Sequence, residues 1–293
     1  MRNPVVVDRM RLAGWVALGA SLLTVGLVAY GAWVRASGSG LGCPDWPLCK
    51  GSVVPVLEGD TAIEFGHRLF AGITMLVAAA AALLAWRSRA ENRVAAWLIT
   101  GALGAILLQA ALGGATVLTE LHGLVRLAHL GVAFFTLGLL VSGALVALRV
   151  PGSEHPGMPV SGVLLAGAVL VVLAGGSIVG SAVGAGCPGL PLCDGRSAGG
   201  TAILHDLHRV AALVLFLGFV YASYRVSRLG GTRLAKSLSH SAALLTGLQG
   251  VVGIAAVVQT LPQGLRVLHL ALAALICWVV VAQWSLAIKA RSR

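Results

Sequence analysis

Long, unbroken apolar blocks govern what this chain can fold into. Leu12 to Val34 and Val160 to Val183 are two of eight, each close to the ~20 residues that carry a helix across the hydrocarbon of a bilayer. A strand buried in a soluble sheet needs only roughly four to eight apolar residues, so blocks of this length are read as membrane helices. They are placed at roughly 13–34, 63–86, 94–117, 124–148, 160–182, 202–224, 239–259 and 266–288. Composition agrees: 58% of the 293 residues are hydrophobic, 11% are charged and the mean hydropathy is +0.92, more apolar material than one soluble core of this size requires. The expectation is an all-α integral membrane protein.

Eight spans put both termini on one side. The formal charge of +11 would suit nucleic acid if the cations formed one patch, but they sit at alternate helix ends instead. Of the 21 Lys and Arg residues, fourteen fall on the side of the termini, among them Arg2, Arg9, Arg87, Arg149, Arg225 and Arg293. Arg35, Lys50 and Arg196 fall on the other side, and Arg68, Arg126, Arg209 and Arg266 lie inside spans. This positive-inside bias places both termini in the cytoplasm, in a multi-pass cell-membrane protein whose surroundings are lipid and not nucleic acid. Trp15, Trp33, Trp86, Trp97 and Trp284 fall near span ends, where amphipathic rings favour the headgroup layer. No small-residue cleavage pattern follows the first block, which is expected to be retained as a helix.

The two halves of the chain repeat one another. Cys43 and Cys49 match Cys187 and Cys193 at an offset of 144, and His67-Arg68 matches His208-Arg209 at 141. Gln109 matches Gln249, and Arg126-x-x-His129 matches Arg266-x-x-His269, both at 140. Each copy holds four spans, an even number, so both enter the membrane the same way up and are related by a pseudo-twofold axis along the membrane normal. The expected architecture is a pair of four-helix bundles, residues 1–150 and 151–293.

This repeat places His67 and His129 near the outer ends of helices 2 and 4, at similar depth in one bundle, and His208 and His269 likewise in the other. Two imidazoles facing one bundle interior are a common way to hold iron in a flat macrocycle, which the apolar bundle accommodates. A lone intramembrane histidine is more simply a polar residue bonded to the next helix; four at repeat-matched places, each beside an arginine, point to ligation. Arg68, Arg126, Arg209 and Arg266 suit either the propionates of a haem or lipid headgroups, and the two roles can coexist. His122 has Pro262 in its repeat position and reads as a loop residue. His205 shares a helix face with His208, and Glu64 stands in its place three residues before His67. That carboxylate can take protons or stabilise a developing cation, which assigns chemistry to the N-terminal half; acid in a helix's first turn also complements the dipole. The cysteine pairs lie in outer loops on the side that permits disulfides. Cys187 and Cys193 suit a structural clip, whereas Cys43 and Cys49 suit a clip or an exchanging thiol pair. Cys277, alone in helix 8, reads as core.

These residues resemble the haem A synthases, bacterial and mitochondrial membrane enzymes that oxidise haem O. The likeness covers essentially the whole chain and is most specific in GSGLGCPDWPLCKG and IEFGHR, supported by LHDLHR and the two Arg-x-x-His elements. It implies conversion of a ring methyl of haem O to the formyl group of haem A, for cytochrome oxidase, by successive hydroxylations and loss of water. It further implies a substrate haem at His67 and His129 with Glu64 as the acidic group, and a resident haem b at His208 and His269 that moves electrons. Cys43 and Cys49 match the family's first-loop pair, linked to electron transfer or haem handling. A prenyltransferase that makes haem O, cytochrome oxidase assembly factors and an extracytoplasmic thiol or quinol reductant are the implied partners. A di-haem membrane cytochrome b would explain four histidines but leaves Glu64 and the loop cysteines idle. A haem transporter predicts spans broken at the midplane, and no proline interrupts a span. A disulfide oxidoreductase using the loop cysteines leaves the histidines unexplained.

Overall fold

A computed structural model describes residues 8–151, 159–180, 187, 189–193 and 200–291. Eight long helices account for nearly all of them: α1 Arg9–Ser37, α2 Gly59–Arg87, α3 Arg93–Leu118, α4 Gly123–Ala147, α5 Pro159–Gly180, α6 Gly200–Arg228, α7 Arg233–Val258 and α8 Gln263–Arg291. All eight are long and apolar enough to cross a membrane, and among the described residues there is no strand. The chain is thus an all-α, multi-pass membrane protein, as its apolar blocks require. Several helices begin before their apolar blocks do, α2 at Gly59 and α7 at Arg233, because polar first turns lie outside the hydrocarbon; α1, α3 and α7 carry side-chain caps, whereas Glu58 before α2 makes no such bond. Asp8 accepts the Arg11 N–H at 3.0 Å, Asn92 the Ala95 N–H at 3.0 Å and Thr232 the Ala235 N–H at 3.2 Å. Arg2, Arg196 and Arg293 of the charge bias, and the expected end of helix 5 at residue 182, lie outside the described residues, and the division at residues 150 and 151 adjoins the undescribed 152–158.

Each half closes into a ring of neighbours, α1 against α2 and α4 with α3 completing the square, and α5 against α6 and α8 with α7 completing it. Across the halves α1 packs on α8, α4 on α5, and α4 on α8. A twofold that exchanges α1 with α5 and α4 with α8 maps this set of contacts onto itself. The short turns repeat as well: Glu120 and Leu121 between α3 and α4 have φ of 51° and 66°, and Thr260 and Leu261 between α7 and α8 have 58° and 63°. In both turns the leucine N–H reaches back to the last helical turn, to Thr116 O at 2.8 Å and Ala256 O at 2.6 Å.

Small residues decide how closely the helices approach. At the end of the first bundle that carries the N-terminus, Ala13, Ala17, Ala81, Ala85, Ala95, Ala96 and Ala144 form a tight cluster with Met10 and Ile99. Between lipid-soluble helices such contacts are won by van der Waals packing, so every small side chain counts. The main core, with Phe134, Leu137, Phe219 and Val280, joins the halves, and Trp278 Nε1–H donates to Ser21 Oγ across them at 2.9 Å. Cys277 is buried in this core, as its place in the sequence suggests. A methyl on Gly143 would lie 2.7 Å from Ile99 Cγ1 and 3.3 Å from the Ile99 backbone nitrogen. Gly143→Leu is therefore expected to force α3 from α4 and destabilise the protein by about 1–3 kcal/mol, read by thermal unfolding in detergent.

Candidate functional site

His67 lies eight residues after Gly59 and His208 eight after Gly200, while His129 and His269 each lie six after the starts of α4 and α8. Equal depth within each bundle follows from this register. His67 and His129 are near enough to interact electrostatically, and so are His208 and His269. The pairs expected from the repeat are therefore brought together. Nδ1 of His67, His129 and His269 is buried without a hydrogen-bond partner. His208 Nδ1 lies 3.1 Å from the Val171 carbonyl of α5; since a carbonyl only accepts, Nδ1 carries a proton and donates it. Two histidines in each half with ring nitrogens not taken up by other groups fit the ligation of a haem iron. Tyr30 of α1 stands edge-on to His67, with ring centroids 5.6 Å apart. Its repeat position is Ala174, so only the first site has this neighbour.

The arginines divide into two kinds. Arg68 donates from Nη1 to the carbonyls of Asp45 and Leu48 at 2.9 and 2.8 Å, from Nη2 to that of Cys43 at 2.9 Å, and from Nε to Glu64 Oε1 at 3.0 Å. Arg209 does the same for the second loop, bonding the carbonyls of Gly189, Pro191 and Cys187 at 2.6, 3.2 and 3.0 Å. Each clasps a disulfide loop to its helix, a role with no signal in the sequence beyond the His-Arg spacing. Arg266 instead donates from Nη2 to Ala36 O of α1 at 2.7 Å, crossing between the halves. Arg35, Arg126 and Arg266 form one positive cluster where α1, α4 and α8 meet. Arg35 has Val179 in its repeat position, which is why sliding one half over the other did not single it out.

Both cysteine pairs are bonded, Cys43 to Cys49 and Cys187 to Cys193. The first loop is tied inwardly by Asp45, whose carboxylate accepts the N–H groups of Lys50 and Gly51, and the second by Asp206 of α6, which accepts the Cys193 N–H at 2.8 Å. Trp46 lies flat against α3, for a methyl on Gly114 would come within 2.6 Å of its Cδ2. Leu190 and Ile254 occupy the matching places in the second half, so the indole caps the first bundle alone. Glu64 is 6% exposed and held by Arg68. His122 is exposed at the start of α4, as a loop histidine should be.

Fold and site together define a duplicated membrane protein with a histidine pair in each four-helix half. A family model described as cytochrome oxidase assembly protein matches residues 14–62 and 57–281, and the chain belongs to that family. A protein named heme A synthase from Symbiobacterium thermophilum is 30% identical over 72% of this chain and 76% of its own length. Another of that name from Bacillus licheniformis is 26% identical over 82% and 84%. A Thermus thermophilus protein named protoheme IX farnesyltransferase is 31% identical over 90% of this chain, which spans 46% of that longer relative.

Two expectations follow from the clasp. Arg68→Ala removes one partner of a buried ion pair and three carbonyl bonds, and should cost about 3–5 kcal/mol in thermal unfolding while speeding reduction of Cys43–Cys49 by an impermeant thiol. Arg68→Lys should restore little, since one ammonium cannot span the four acceptors. The Gly51 N–H, helped by the Lys50 N–H and by Arg68, holds the Asp45 carboxyl below its usual range against a smaller desolvation effect. A depressed acid stabilises above its unfolded pKa of about 3.9 and loses that contribution as pH falls through the lower folded value. Protease resistance of the loop should thus be flat from about pH 5 to 8 and fall only under stronger acid, and Asp45→Asn should remove that acid step.

Proposed function

We propose that this protein is an enzyme of haem A biosynthesis that oxidises a ring methyl of haem O to a formyl group by successive hydroxylations and loss of water, supplying cytochrome oxidase. The observation that carries the reading is the duplication with one difference. Two halves each carry a pair of half-buried imidazoles, and only one of them adds a buried carboxylate, Glu64, one helical turn from its histidine. Membership of the oxidase assembly family and likeness over most of the chain to proteins named heme A synthase support it.

In this reading His67 and His129 receive haem O in residues 1–150, and His208 and His269 hold a haem b in residues 151–293. Bound haem b supplies one-electron transfer. The protein's own residues do the rest. The apolar bundle would enclose the macrocycle, and the imidazole pairs would hold it. Glu64, kept in place by Arg68 Nε, is the group that exchanges protons or balances positive charge beside the substrate. Arg126 and Arg266, joined by Arg35, are the guanidinium partners for propionates, while Arg68 and Arg209 act on haem only through the loops they clasp. The disulfide loops face the extracytoplasmic side, where a thiol or quinol reductant reaches them, and both termini are cytoplasmic in the cell membrane. The likeness to a longer protein named protoheme IX farnesyltransferase supports a haem O-making prenyltransferase as partner.

The test is extraction and chromatography of pigments from purified protein and from membranes given haem O and reductant. His208→Ala is expected to lose haem b, and His67→Ala or Glu64→Gln to keep haem b yet form no haem A. Full pigment and normal haem A in all three variants would remove the assignment, and haem b with no conversion by the unaltered protein would leave an electron-transferring cytochrome b.

A further inference from the structure

Every histidine of the two pairs lies against a glycine of the helix that precedes its own. A methyl built on Gly31 of α1 would sit 3.3 Å from Cε1 of His67, one on Gly113 of α3 would sit 3.3 Å from Cε1 of His129, one on Gly175 of α5 would sit 3.0 Å from Cε1 of His208, and one on Gly253 of α7 would sit 3.2 Å from Cε1 of His269. In each case the atoms that methyl would meet are those of the imidazole. Gly31 and Gly175 match at the offset of 144, and Gly113 and Gly253 at 140. Apart from the helix starts Gly59 and Gly200, no other glycines of the eight helices recur at matched places. Neighbouring glycines show the contrast: Gly114 is replaced by Ile254 and Gly176 by Ala32.

We propose that Gly31, Gly113, Gly175 and Gly253 are positioning residues, each a seat cut into one helix so that the imidazole of the next can lie directly on its backbone and present a fixed nitrogen to haem iron. The proposal rests on the haem-ligand reading given above. Its chemistry is plainest at Gly175. With no side chain there, the His208 ring comes close enough for Nδ1–H to reach the carbonyl of Val171, one turn earlier, at 3.1 Å. That carbonyl already accepts the helical bond from Gly175 and uses its second lone pair for the ring. A ligating histidine whose other nitrogen donates to a carbonyl is fixed in tautomer and orientation and is made more basic. His129 faces the corresponding carbonyl of Gln109, without closing to a full hydrogen bond. At Gly113 and Gly253 the second atom met is Nδ1, at 3.9 and 3.6 Å, whereas at Gly31 it is Nε2, at 3.7 Å. His67, the ligand of the half assigned to substrate, sits turned in its seat, with Tyr30 edge-on beside it.

The experiment uses the full-length protein purified with its haem. Gly175→Ala and Gly253→Ala are expected to displace the reduction potential and the low-spin ferric resonance of haem b and to weaken its retention roughly tenfold. Gly250→Ala, on α7 with open space beside it, should match the unaltered protein in all three. Loss of haem b in His208→Ala tests the underlying reading separately. If the unaltered protein holds haem b through His208 and both glycine variants keep its potential and resonance, the seats are refuted. Should Gly175→Ala fail to fold, stability is compared in the His208→Ala background. Alanine favours helix over glycine, so there Gly175→Ala should stabilise, reversing its sign once the imidazole is gone. A destabilisation of the same size with and without the ring would mean that Gly175 serves helix packing alone, and would overturn the proposal.

Discussion

A hydrocarbon interior offers no water to a polar atom, and that constraint organises this molecule. Backbone groups meet it by forming eight uninterrupted helices. Side chains meet it individually. Serine and threonine hydroxyls turn back onto their own helices, as Thr24 does to Ala20 O at 2.8 Å. Arg68 and Arg209, too costly to leave unpaired at that depth, collect loop carbonyls. Some buried atoms are left without a hydrogen bond, among them Nδ1 of three of the four histidines and Oε1 of Gln109 and Gln249. Of these, His129 and His269 match across the repeat, as do Gln109 and Gln249, so the two halves leave some of the same polar atoms over at the same places.

Duplication supplies a comparison within one chain. Where the halves agree, the agreement follows architecture: disulfide loop, clasping arginine, histidine pair and the left-handed turns at Glu120 and Thr260. Where they differ, the differences gather around the first site. Glu64 faces the sequence position of His205, Tyr30 that of Ala174, and Trp46 on Gly114 that of Leu190 and Ile254. One half carries an acid, a phenol and an indole cap around the frame that both halves share.

Most of the fold was legible in the sequence because membrane helices are read from length and hydropathy, and their order follows from chain connectivity. The repeat then supplied the histidine pairs on which the proposed site is built. What sequence could not yield was the destination of long polar side chains. Arg68 resembled a propionate partner, since a guanidinium near a histidine looks the same whether it bonds a ligand or a loop; only coordinates put it on Asp45, Leu48 and Cys43. Arg35 counts in the sequence only as an outer-side cation, because Val179 stands in its repeat position. The glycines at 31, 113, 175 and 253 were visible as matched pairs, yet glycine is common in membrane helices and gives no hint of which ring lies on it.

The Arg68 guanidinium is shared between Glu64 below and the backbone of the cystine loop above. Two events with no common atom, opening of the loop and a change of charge on the acid, are therefore linked through a single cation. Thermodynamic reciprocity makes the linkage run both ways: whatever loosens the loop alters the proton affinity of Glu64, and whatever neutralises Glu64 alters the grip on the loop to the same extent in free energy.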